Sequence, residues 1–388
     1  MTPSSPHSAD AAPTVVYLAG RTMGAHSGAD AALARALSEF THVVWVDPAL
    51  DNEKMSLDRV TPTLARLRPG GSTSLLHGLT RRRRTDRAIA TAVAEVGATD
   101  LLVVLADPTG RFPVGVHGHR LYYVTDDWVI GARRLGLNRR AVRASIAHNS
   151  SKADTVAATS DLLAQRLHLY SKVVDAVRVI PSGCTVPTGC AASFTTALPT
   201  RDPIDCAVVL TGPLDDTLDY RTLTAVADAG HDISVFGATG AFDPGRTALL
   251  DAFLAHPRVH RRDAEHLASA RVGIAPFVDD AFARARSPLQ PLNYLAAGLA
   301  VVTTESEAVG PSSSEYVVSA RSTAEFVRFV SDAVAAAPDP AARDSRRDIA
   351  RANSWTARAV TMLRLASMYR ETPSRGKSER TYPAQTHP

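Results

Sequence analysis

Cysteine, aromatic residues and net charge are all scarce in this chain of 388 residues, and each scarcity argues against a class of protein. The cysteines number three, Cys184, Cys190 and Cys206, with no CxxC pair and no histidine partners at zinc-finger spacing. We therefore expect buried or inert thiols in a reducing cytosol. Aromatic residues make up 6% of the chain and the formal net charge is +4. Without a recognition-module motif, these values disfavour nucleic-acid binding.

Long apolar runs are absent as well. No segment approaches the roughly 20 apolar residues that a membrane-spanning helix needs. Residues 1–12 are rich in Ser, Pro and Ala, lack the basic-then-apolar pattern of a secretory signal and are expected to be disordered. An apolar fraction of 45% and a charged fraction of 21% are typical of a globular protein. We therefore expect a cytoplasmic protein with about two or three domains.

The first part of the chain shows the pattern of a parallel sheet. Thr14–Ala19 and Thr41–Val46 are apolar, β-branched runs separated by a glycine-containing loop and a helical segment. This is a βαβ unit, whose ligands bind at the carboxyl ends of the strands. The glycines Gly20, Gly24 and Gly28 have the spacing G-x3-G-x3-G, which is not the dinucleotide fingerprint and argues against a dehydrogenase. The loop either opens onto a cleft or makes only a permissive turn.

A pair of carboxylates follows another buried strand. The run Arg120–Thr125 leads directly into Asp126 and Asp127, with Trp128 next. Carboxylates at the end of a parallel strand lie at the ligand-binding edge of the sheet, where they can accept a proton from a hydroxyl group. The alternative is that an Asp caps the helical segment that follows. One of the two is expected to do so, and the sequence does not show which.

Residues 49–80 contain prolines, glycines and a Thr/Ser cluster, and irregular structure with short pieces is expected there. The four arginines Arg81–Arg84 then lead into a helix. Such a run attracts anionic lipid headgroups with about 1 kcal/mol per residue, so peripheral docking on the inner face of a membrane is one hypothesis. The alternative is a solvated helix start, which is the more frequent meaning of a run of charge.

The composition divides the chain into segments. Residues 13–185 form the predicted first α/β domain, and residues 186–203, rich in Thr, Pro and Ala, form a linker. The second α/β domain is predicted over 204–350, with a last helix over 351–371 as part of a long helical pattern that runs to about Tyr369. Residues 372–388 are polar and expected to be disordered.

The segment Ser287–Thr304, SPLQPLNYLAAGLAVVTT, combines a helix start, a short helix and a buried strand. Ser287 can cap the helix, with Pro288 at its first position and Gln290 at the third residue after the cap. Alternatively, the helix begins at Pro291. Gly298 is expected to end it. A helix N-terminus preceded by Arg284 and Arg286 suits a diphosphate.

Several segments together resemble GT-B glycosyltransferases of the family 4 and teichuronic-acid-type groups. SPLQPLNYLAAGLAVV resembles their SPLKxLEYLAAGxPVV signature, and YYVTDDWVIG resembles their yyxxDDW element. NSWTAR, at residues 353–358, resembles the start of their C-terminal helix. The resemblance implies a GT-B fold, with two Rossmann-like α/β domains, a cleft between them and a C-terminal helix that crosses back to the first domain.

The resemblance also implies an activity. In such enzymes a hexosyl group moves from a nucleotide diphosphate sugar to a hydroxyl of a glycan or lipid-linked acceptor, in cell-envelope or exopolysaccharide synthesis, without a cofactor or metal. Asp126 and Asp127 would be the catalytic carboxylates. The donor would contact Gly24, Gly212, Arg284, Arg286, Ser287, Pro288, Leu289, Gln290 and Asn293.

Two positions depart from the family pattern, because Gln290 stands where the family has Lys and Asn293 stands where it has Glu. The alternative is therefore a non-catalytic GT-B protein that binds a nucleotide sugar or a partner glycosyltransferase. A GT-B epimerase is a third interpretation, which the fold alone would support.

Overall fold

The chain folds around two separate sheets, as a computed structural model shows. Its described residues are 13–24, 28–48, 54–70, 78–98, 100–171, 176–186, 207–240, 244–262, 267, 270–304 and 316–368. The segments expected to be disordered, 1–12 and 372–388, lie outside these residues, as does all but the first residue of the predicted linker 186–203.

The first sheet has eight strands within the described residues. They are β1 (Thr14–Leu18), β2 (His42–Val46), β3 (Ser56–Thr61), β4 (Leu64–Arg68), β5 (Leu101–Leu105), β6 (His119–Val124), β7 (Thr155–Ala158) and β8 (Val177–Val179). Their order is β3-β4-β2-β1-β5-β6-β7-β8, and all neighbours are parallel except the hairpin β3–β4. The accompanying helices are α1 (Gly28–Leu37), α2 (Gly78–Val96), α3 (Arg139–Ser150) and α4 (Asp161–Tyr170). The central strands are runs of Val and Leu because both faces of the sheet are covered.

The second sheet has six strands within the described residues, all parallel. They are β9 (Val208–Thr211), β10 (Ile233–Phe236), β11 (Val259–Arg262), β12 (Val272–Ala275), β13 (Ala300–Thr303) and β14 (Val317–Ser319). Their order is β11-β10-β9-β12-β13-β14. The helices of this part are α5 (Tyr220–Asp228), α6 (Pro244–Leu254), α7 (Gln290–Ala297), α8 (Thr323–Ala335) and α9 (Pro340–Ala352).

Each sheet has a point where the strand order reverses. The chain moves outward in one direction from β1 and in the other from β5, and the same holds for β9 and β12. Ligands of doubly wound sheets bind outside the carboxyl ends of the strands at such a reversal. The loops after β1, β5, β9 and β12 lie at these reversals, and the loop after β6 is next to the first of them, so these loops are the places to look for a site.

The last helix, α10 (Trp355–Leu365), returns to the first sheet. Ala359, Met362 and Leu363 are fully buried there, in the same apolar cluster as Val15 and Leu33. This confirms the predicted crossover. The predicted single long helix is wrong in detail, because the chain breaks at 353–354 and Ser354 starts α10 by accepting a hydrogen bond from the Ala357 N–H.

Two further expectations, on residues 49–80 and on the cysteines, can be compared with the structure. Where irregular structure with short pieces was expected, over 49–80, the described residues include an edge hairpin of β3 and β4, whose register shifts between Arg59 and Thr61. Cys184 is buried, and burial raises its pKa to about 12, as expected of an inert thiol, while Cys190 and Cys206 lie outside the described residues. None of the described helices combines the length and the apolar character that crossing a bilayer requires.

Candidate functional site

The connection between β12 and α7 lies against the first domain. Ala285 is fully buried and belongs to the apolar cluster of the first sheet, together with Trp128. The Ser160 hydroxyl donates a 2.7 Å hydrogen bond to the Ala285 carbonyl. Gly131 packs so closely on the Phe282 ring that an added Cβ would overlap it. The carboxyl edges of the two sheets therefore face each other across this connection.

Arg134, in the loop between β6 and α3, ties both loops of the second domain to the first. Its Nη2 lies 2.9 Å from Asp280 Oδ2, and its Nε lies 3.3 Å from Asp216 Oδ2. Asp216 follows β9 and Asp280 follows β12. The guanidinium also lies over the Phe282 ring, 5.2 Å from its centroid. One side chain thus ties the loop after β6 to both loops at the reversal of the second sheet.

The two predicted carboxylates have different surroundings. Asp127 is buried, and it accepts hydrogen bonds from the Tyr170 hydroxyl, the Arg166 guanidinium and the Ile130 N–H, each at 3.0 Å. Its oxygens are used to hold the turn after β6. Of the two, Asp127 is the one that stabilises local structure.

Asp126 instead faces the second domain. Its Oδ1 lies 3.3 Å from the Nε of Arg286, and each side chain is 28% exposed. Burial raises the pKa of Asp126 above the ordinary value, while the charges of Arg286 and Arg21 oppose that shift. The carboxylate is thus positioned at the domain boundary and binds a proton more readily than an exposed Asp.

The start of α7 differs from the prediction. Leu289 is the cap residue, without a side-chain hydrogen bond, and the Ser287 hydroxyl accepts a 3.0 Å hydrogen bond from the Ser182 N–H. The expectation that Ser287 caps this helix is therefore wrong, because the first domain occupies its hydroxyl. As predicted, the helix ends at Gly298, which has the left-handed φ of 81°. The cap residue makes no side-chain hydrogen bond to the first turn of α7, and Pro291 in that turn has no N–H to offer.

Gly212 and Gln290, both predicted to bind the donor, lie side by side. Gly212 has a φ of 103°, and an added Cβ would lie 2.7 Å from the Gln290 Nε2. The Tyr294 side chain on α7 also contacts the end of β9. Its hydroxyl accepts a hydrogen bond from the Thr211 N–H at 2.8 Å and donates one to the Ile274 carbonyl of β12 at 3.1 Å. The loop after β9 and the first turn of α7 therefore form one surface.

The other predicted donor residues differ in their burial and in their contacts. Pro288 is buried, Leu289 packs against the first domain, and Asn293 is half-buried one turn into α7. Arg284 is 57% exposed, and its Nη2 lies 2.6 Å from Asp279 Oδ2. Gly24 lies in the loop after β1 with open space around it. The structure thus brings Gly212, Arg286 and 287–290 together, whereas Arg284 points to its own loop.

Asp30 is a candidate that the sequence analysis missed. It lies in the first turn of α1, and its Oδ1 accepts a 2.7 Å hydrogen bond from the fully buried Tyr17 hydroxyl. Burial raises the pKa of Asp30 to about 6, the Tyr17 hydrogen bond opposes this, and the nearby charge of Asp126 adds to it. An acidic residue in a first helical turn is ordinary, so the sequence holds no signal that would single it out.

The loop after β1 is held by a second carboxylate. Asp47, at the end of β2, accepts hydrogen bonds from the Met23 N–H at 2.8 Å and from the Trp45 Nε1 at 2.7 Å. Its other oxygen lies 2.7 Å from the Arg66 Nε. This buried carboxylate is fully used in fixing the loop that faces the cleft.

Solved structures with this fold are known at low sequence identity. A sucrose-phosphate synthase from Thermosynechococcus elongatus is 16% identical with a TM-score of 0.61, covering 92% of this chain and 98% of its own. The trehalose-6-phosphate structure from E. coli bound with UDP-2-fluoro glucose is 10% identical with a TM-score of 0.61, covering 91% and 98%. A UDP-forming α,α-trehalose-phosphate synthase from Burkholderia xenovorans is 12% identical with a TM-score of 0.57, covering 92% and 99%.

These similarities establish the fold class. The chain has two Rossmann-like α/β domains of the GT-B type, with a cleft between them, which confirms the predicted architecture. No family model matches the sequence, and no curated protein sequence matches it significantly. The assignment to the family 4 or teichuronic-acid-type group stays a prediction.

Proposed function

We propose that the chain is a glycosyltransferase that moves a hexosyl group from a nucleotide diphosphate sugar to a hydroxyl of a glycan or lipid-linked acceptor. The observation that carries this proposal is the meeting of Arg286 and Asp126, a cation and a carboxylate from opposite domains, at the carboxyl edges of the two sheets. Sheets of this type bind their ligands at that edge. The Arg286 cation can bind a diphosphate, and the Asp126 carboxylate can accept the proton of an acceptor hydroxyl. A role in cell-envelope or exopolysaccharide synthesis belongs to the same proposal and rests on the sequence resemblance.

The donor half of the proposal concerns charge. As the glycosidic bond breaks, the leaving nucleoside diphosphate gains negative charge, which Arg286 and the uncapped first turn of α7 can stabilise. Gly212 lets the donor approach the backbone closely, because glycine has no side chain and readily adopts the positive φ found here. Asn293 faces the ribose as a neutral replacement for Glu. The remaining proposed donor contacts are Gly24, Arg284, Ser287, Pro288, Leu289 and Gln290.

The acceptor half concerns the proton. Asp126 and Asp127 are the proposed catalytic carboxylates, and Asp126 is the better placed to accept a proton, since it faces the second domain and its pKa is raised by burial. Asp127 supports it by fixing the turn through Arg166 and Tyr170. Two of the three solved structures with this fold are named as synthases of sucrose phosphate and trehalose phosphate, so acceptors with hydroxyl groups are consistent with the fold.

Cytoplasmic location and peripheral membrane contact form a further part of the proposal. Near the start of α2, the side chains of Arg82, Arg83 and Arg84 are exposed, while the Arg81 side chain is not among those that the structure describes. We propose that the run Arg81–Arg84 contacts anionic lipid near a lipid-linked acceptor. Liposome flotation of the wild type and of the Arg81–Arg84→Ala variant tests this, and equal behaviour with neutral and anionic vesicles would refute it.

The structure also favours a second candidate, a non-catalytic GT-B protein that binds a nucleotide sugar or a partner glycosyltransferase. Arg286 already has a carboxylate partner, and Gln290 and Asn293 are neutral where the resembling family is charged. A site with this reduced charge stabilises a leaving diphosphate less than one with an additional Lys.

Incubation with a panel of nucleotide diphosphate sugars separates the two candidates, with release of nucleoside diphosphate as the readout. A glycosyltransferase releases it from at least one sugar, more slowly in Arg286→Ala and Asp126→Asn. Arg328→Ala is the matched control, because among the described residues this exposed arginine forms its ion pair with Asp332 on its own helix, α8. Nucleotide binding without release supports the non-catalytic candidate. Absence of binding to every nucleotide tested overturns the glycosyltransferase and the nucleotide-sugar-binding form of the second candidate, and leaves only binding to a partner glycosyltransferase.

A further inference from the structure

A cavity of about 450 Å³ lies in the first domain, in the connection between β6 and α3. Its size is that of a small-molecule site. None of its lining residues is among those assigned to the donor or to the catalytic carboxylates. They are Val129, Ile130, Ala132, Arg133, Leu137 and Arg139. We call it the β6–α3 cavity.

The walls of the cavity are mostly apolar. Val129 and Ala132 are buried beneath it, whereas Leu137 is half-buried and Ile130 is 41% exposed. Water contacts a large apolar side chain at an unfavourable free energy, and a hydrocarbon that covered Ile130 and Leu137 would remove this contact. The walls therefore suit a ligand with an apolar part.

The rim of the cavity is basic. Arg133 and Arg139 are both exposed there. They belong to a segment, residues 128–153, that contains six Lys and Arg residues and no Asp or Glu. Arg139 and Arg140 lie in the first turn of α3, where the helix dipole disfavours a cation, so the stability of the helix does not account for them. The rim therefore suits an anionic group next to the apolar part of a ligand.

The cavity is next to the proposed acceptor side of the cleft. The Ile130 N–H donates a 3.0 Å hydrogen bond to Asp127 Oδ1, and Asp126 is the preceding residue in the chain. The charge of Asp127 is balanced by Arg166, whose Nη1 lies 3.0 Å from Oδ2. A ligand in the cavity would therefore extend toward the carboxylate that is proposed to accept the proton.

A second exposed apolar side chain lies near the same turn. Leu169 on α4 is 71% exposed, and its neighbour Tyr170 donates a 3.0 Å hydrogen bond to Asp127. Arg143 lies one turn after Arg139 on α3, and its Nη2 donates to the Leu169 carbonyl at 3.4 Å. The surface beside the cavity thus repeats its combination of apolar and basic side chains.

The side of the sheet on which the cavity lies also bears on its ligand. The helices α2, α3 and α4 pack on one face of the first sheet, in a shared apolar cluster that contains Ile89, Val142 and Leu163. The run Arg81–Arg84, which is proposed to contact anionic lipid, lies near the start of α2. The cavity and the proposed lipid contact are therefore on the same side of the first domain.

We propose that the β6–α3 cavity binds the lipid phosphate of a lipid-linked acceptor. The phosphate lies at Arg133 and Arg139, since guanidinium groups pair with phosphate oxygens through parallel N–H groups. The adjoining hydrocarbon lies over Ile130 and Leu137. This inference rests on the proposed function and narrows its acceptor to the lipid-linked class, because a glycan without a lipid has no hydrocarbon for these walls.

Isothermal titration of the full chain with butyl, hexyl and octyl phosphate, each below its micelle concentration, tests the site. We expect the affinity to rise along the series by about fourfold for each methylene group that becomes buried. Inorganic phosphate provides the anion alone, and octyl glucoside provides the chain on an uncharged head group. Each should bind at least about tenfold more weakly than octyl phosphate. Equal affinity for the three alkyl phosphates, or no binding of octyl phosphate, overturns the proposal.

Two variants act on different parts of the ligand. Arg139→Gln should weaken octyl phosphate binding about tenfold and retain the rise along the series, because only a charged hydrogen-bond donor is lost. Ile130→Ser should reduce the rise and retain the affinity for butyl phosphate. Both side chains are exposed, so neither variant removes a core contact. An unchanged series in both variants contradicts the site.

The matched controls lie in the second domain. Arg262→Gln removes an exposed arginine on β11, and Val318→Ser removes an apolar side chain on β14 that is 39% exposed, close to the value for Ile130. Neither control should change the affinity for any alkyl phosphate. A loss in a control that equals the loss in its matched variant shows binding over the whole surface and overturns the site.

Nucleoside diphosphate release from the panel of sugars, measured on the wild type, keeps the two hypotheses apart. Release without binding of octyl phosphate refutes the cavity as a lipid site and leaves the proposed function. Octyl phosphate binding by a chain that binds no nucleotide sugar supports the cavity and refutes the proposed donor reaction.

Discussion

Arg286 and Asp126 come from different domains, and the Nε of the first lies 3.3 Å from the Oδ1 of the second. The Asp126 carboxylate pairs with the Arg286 guanidinium, which in the proposed function would bind a donor phosphate. Because both side chains are 28% exposed, solvent screens the pair, and it contributes about 1 kcal/mol or less. If the proposed function holds, we expect a diphosphate, with its larger charge, to displace Asp126 from Arg286 and to leave this carboxylate free for the acceptor.

The first prediction separates donor affinity from turnover at Asp126. Asp126→Asn removes the charge that competes for Arg286, so nucleoside diphosphate should bind about fivefold more tightly, the equivalent of about 1 kcal/mol. Turnover should fall by about 10²- to 10⁴-fold, because the proton acceptor is lost. Calorimetry with UDP and other nucleoside diphosphates, together with steady-state rates, measures both. Weaker nucleotide binding in Asp126→Asn would contradict the displacement of one anion by the other.

The second prediction compares two arginines of the same loop. Arg286→Ala should lower nucleoside diphosphate affinity about tenfold, since a charged hydrogen-bond donor is removed. Arg284→Ala should have a smaller effect, because Arg284 is 57% exposed and paired with Asp279 on its own loop. Titration of both variants under one set of conditions measures the difference. Equal affinity in Arg286→Ala and the wild type would move the phosphate site elsewhere.

The third prediction concerns pH. Burial raises the pKa of Asp30 to about 6 in the folded chain, from 3.8 as its ordinary value. The folded state therefore binds this proton more readily, and the stability that the protonated group contributes is present below pH 3.8 and is lost as the pH rises through about 6. Asp30→Asn carries no charge to lose, so it should be more stable than the wild type at pH 7, by up to about 3 kcal/mol before solvent screening.

Urea unfolding of the wild type and Asp30→Asn between pH 4 and pH 7 measures this difference. The two proteins should converge toward pH 4 and diverge toward pH 7. Parallel profiles would show that Asp30 is ionised without cost in the folded chain. Other carboxyls titrate in the same range, so the difference between the two proteins is the quantity to compare.

The strands were predictable where burial dictates their composition. The runs at β1, β2 and β5 are almost purely apolar because helices cover both faces of a parallel sheet. The hairpin β3–β4 escaped prediction, since β3, SLDRVT, is a largely exposed edge strand whose polar residues resemble a loop. Local composition therefore identified the interior of the first sheet and not its edge.

The sequence indicated which segments lie near one another at the candidate site, but not the contacts that each of their residues makes. Asp127 differs from Asp126 through Arg166 and Tyr170, which lie 39 and 43 residues further along the chain. Ser287 fits the local rule for a helix cap, yet its hydroxyl bonds to a backbone N–H 105 residues away. Such long-range contacts leave no periodic signal in the sequence.

The last prediction tests whether the domain boundary depends on the packing of Gly131 against Phe282. Gly131 has no positive φ among the described glycines, so Gly131→Ala adds no backbone strain and acts only through the methyl group, which would overlap the Phe282 ring. Because Phe282 also lies under Arg134, whose guanidinium bonds to Asp216 and Asp280, the ring cannot shift without disturbing those ion pairs. We expect destabilisation by about 1–3 kcal/mol, the usual cost of overpacking. Gly24→Ala is the matched control, since it too lacks a positive φ and has open space around it. Chemical unfolding measures both variants, and equal stability of Gly131→Ala and Gly24→Ala would show that the connection between β12 and α7 is not tightly packed against the first domain.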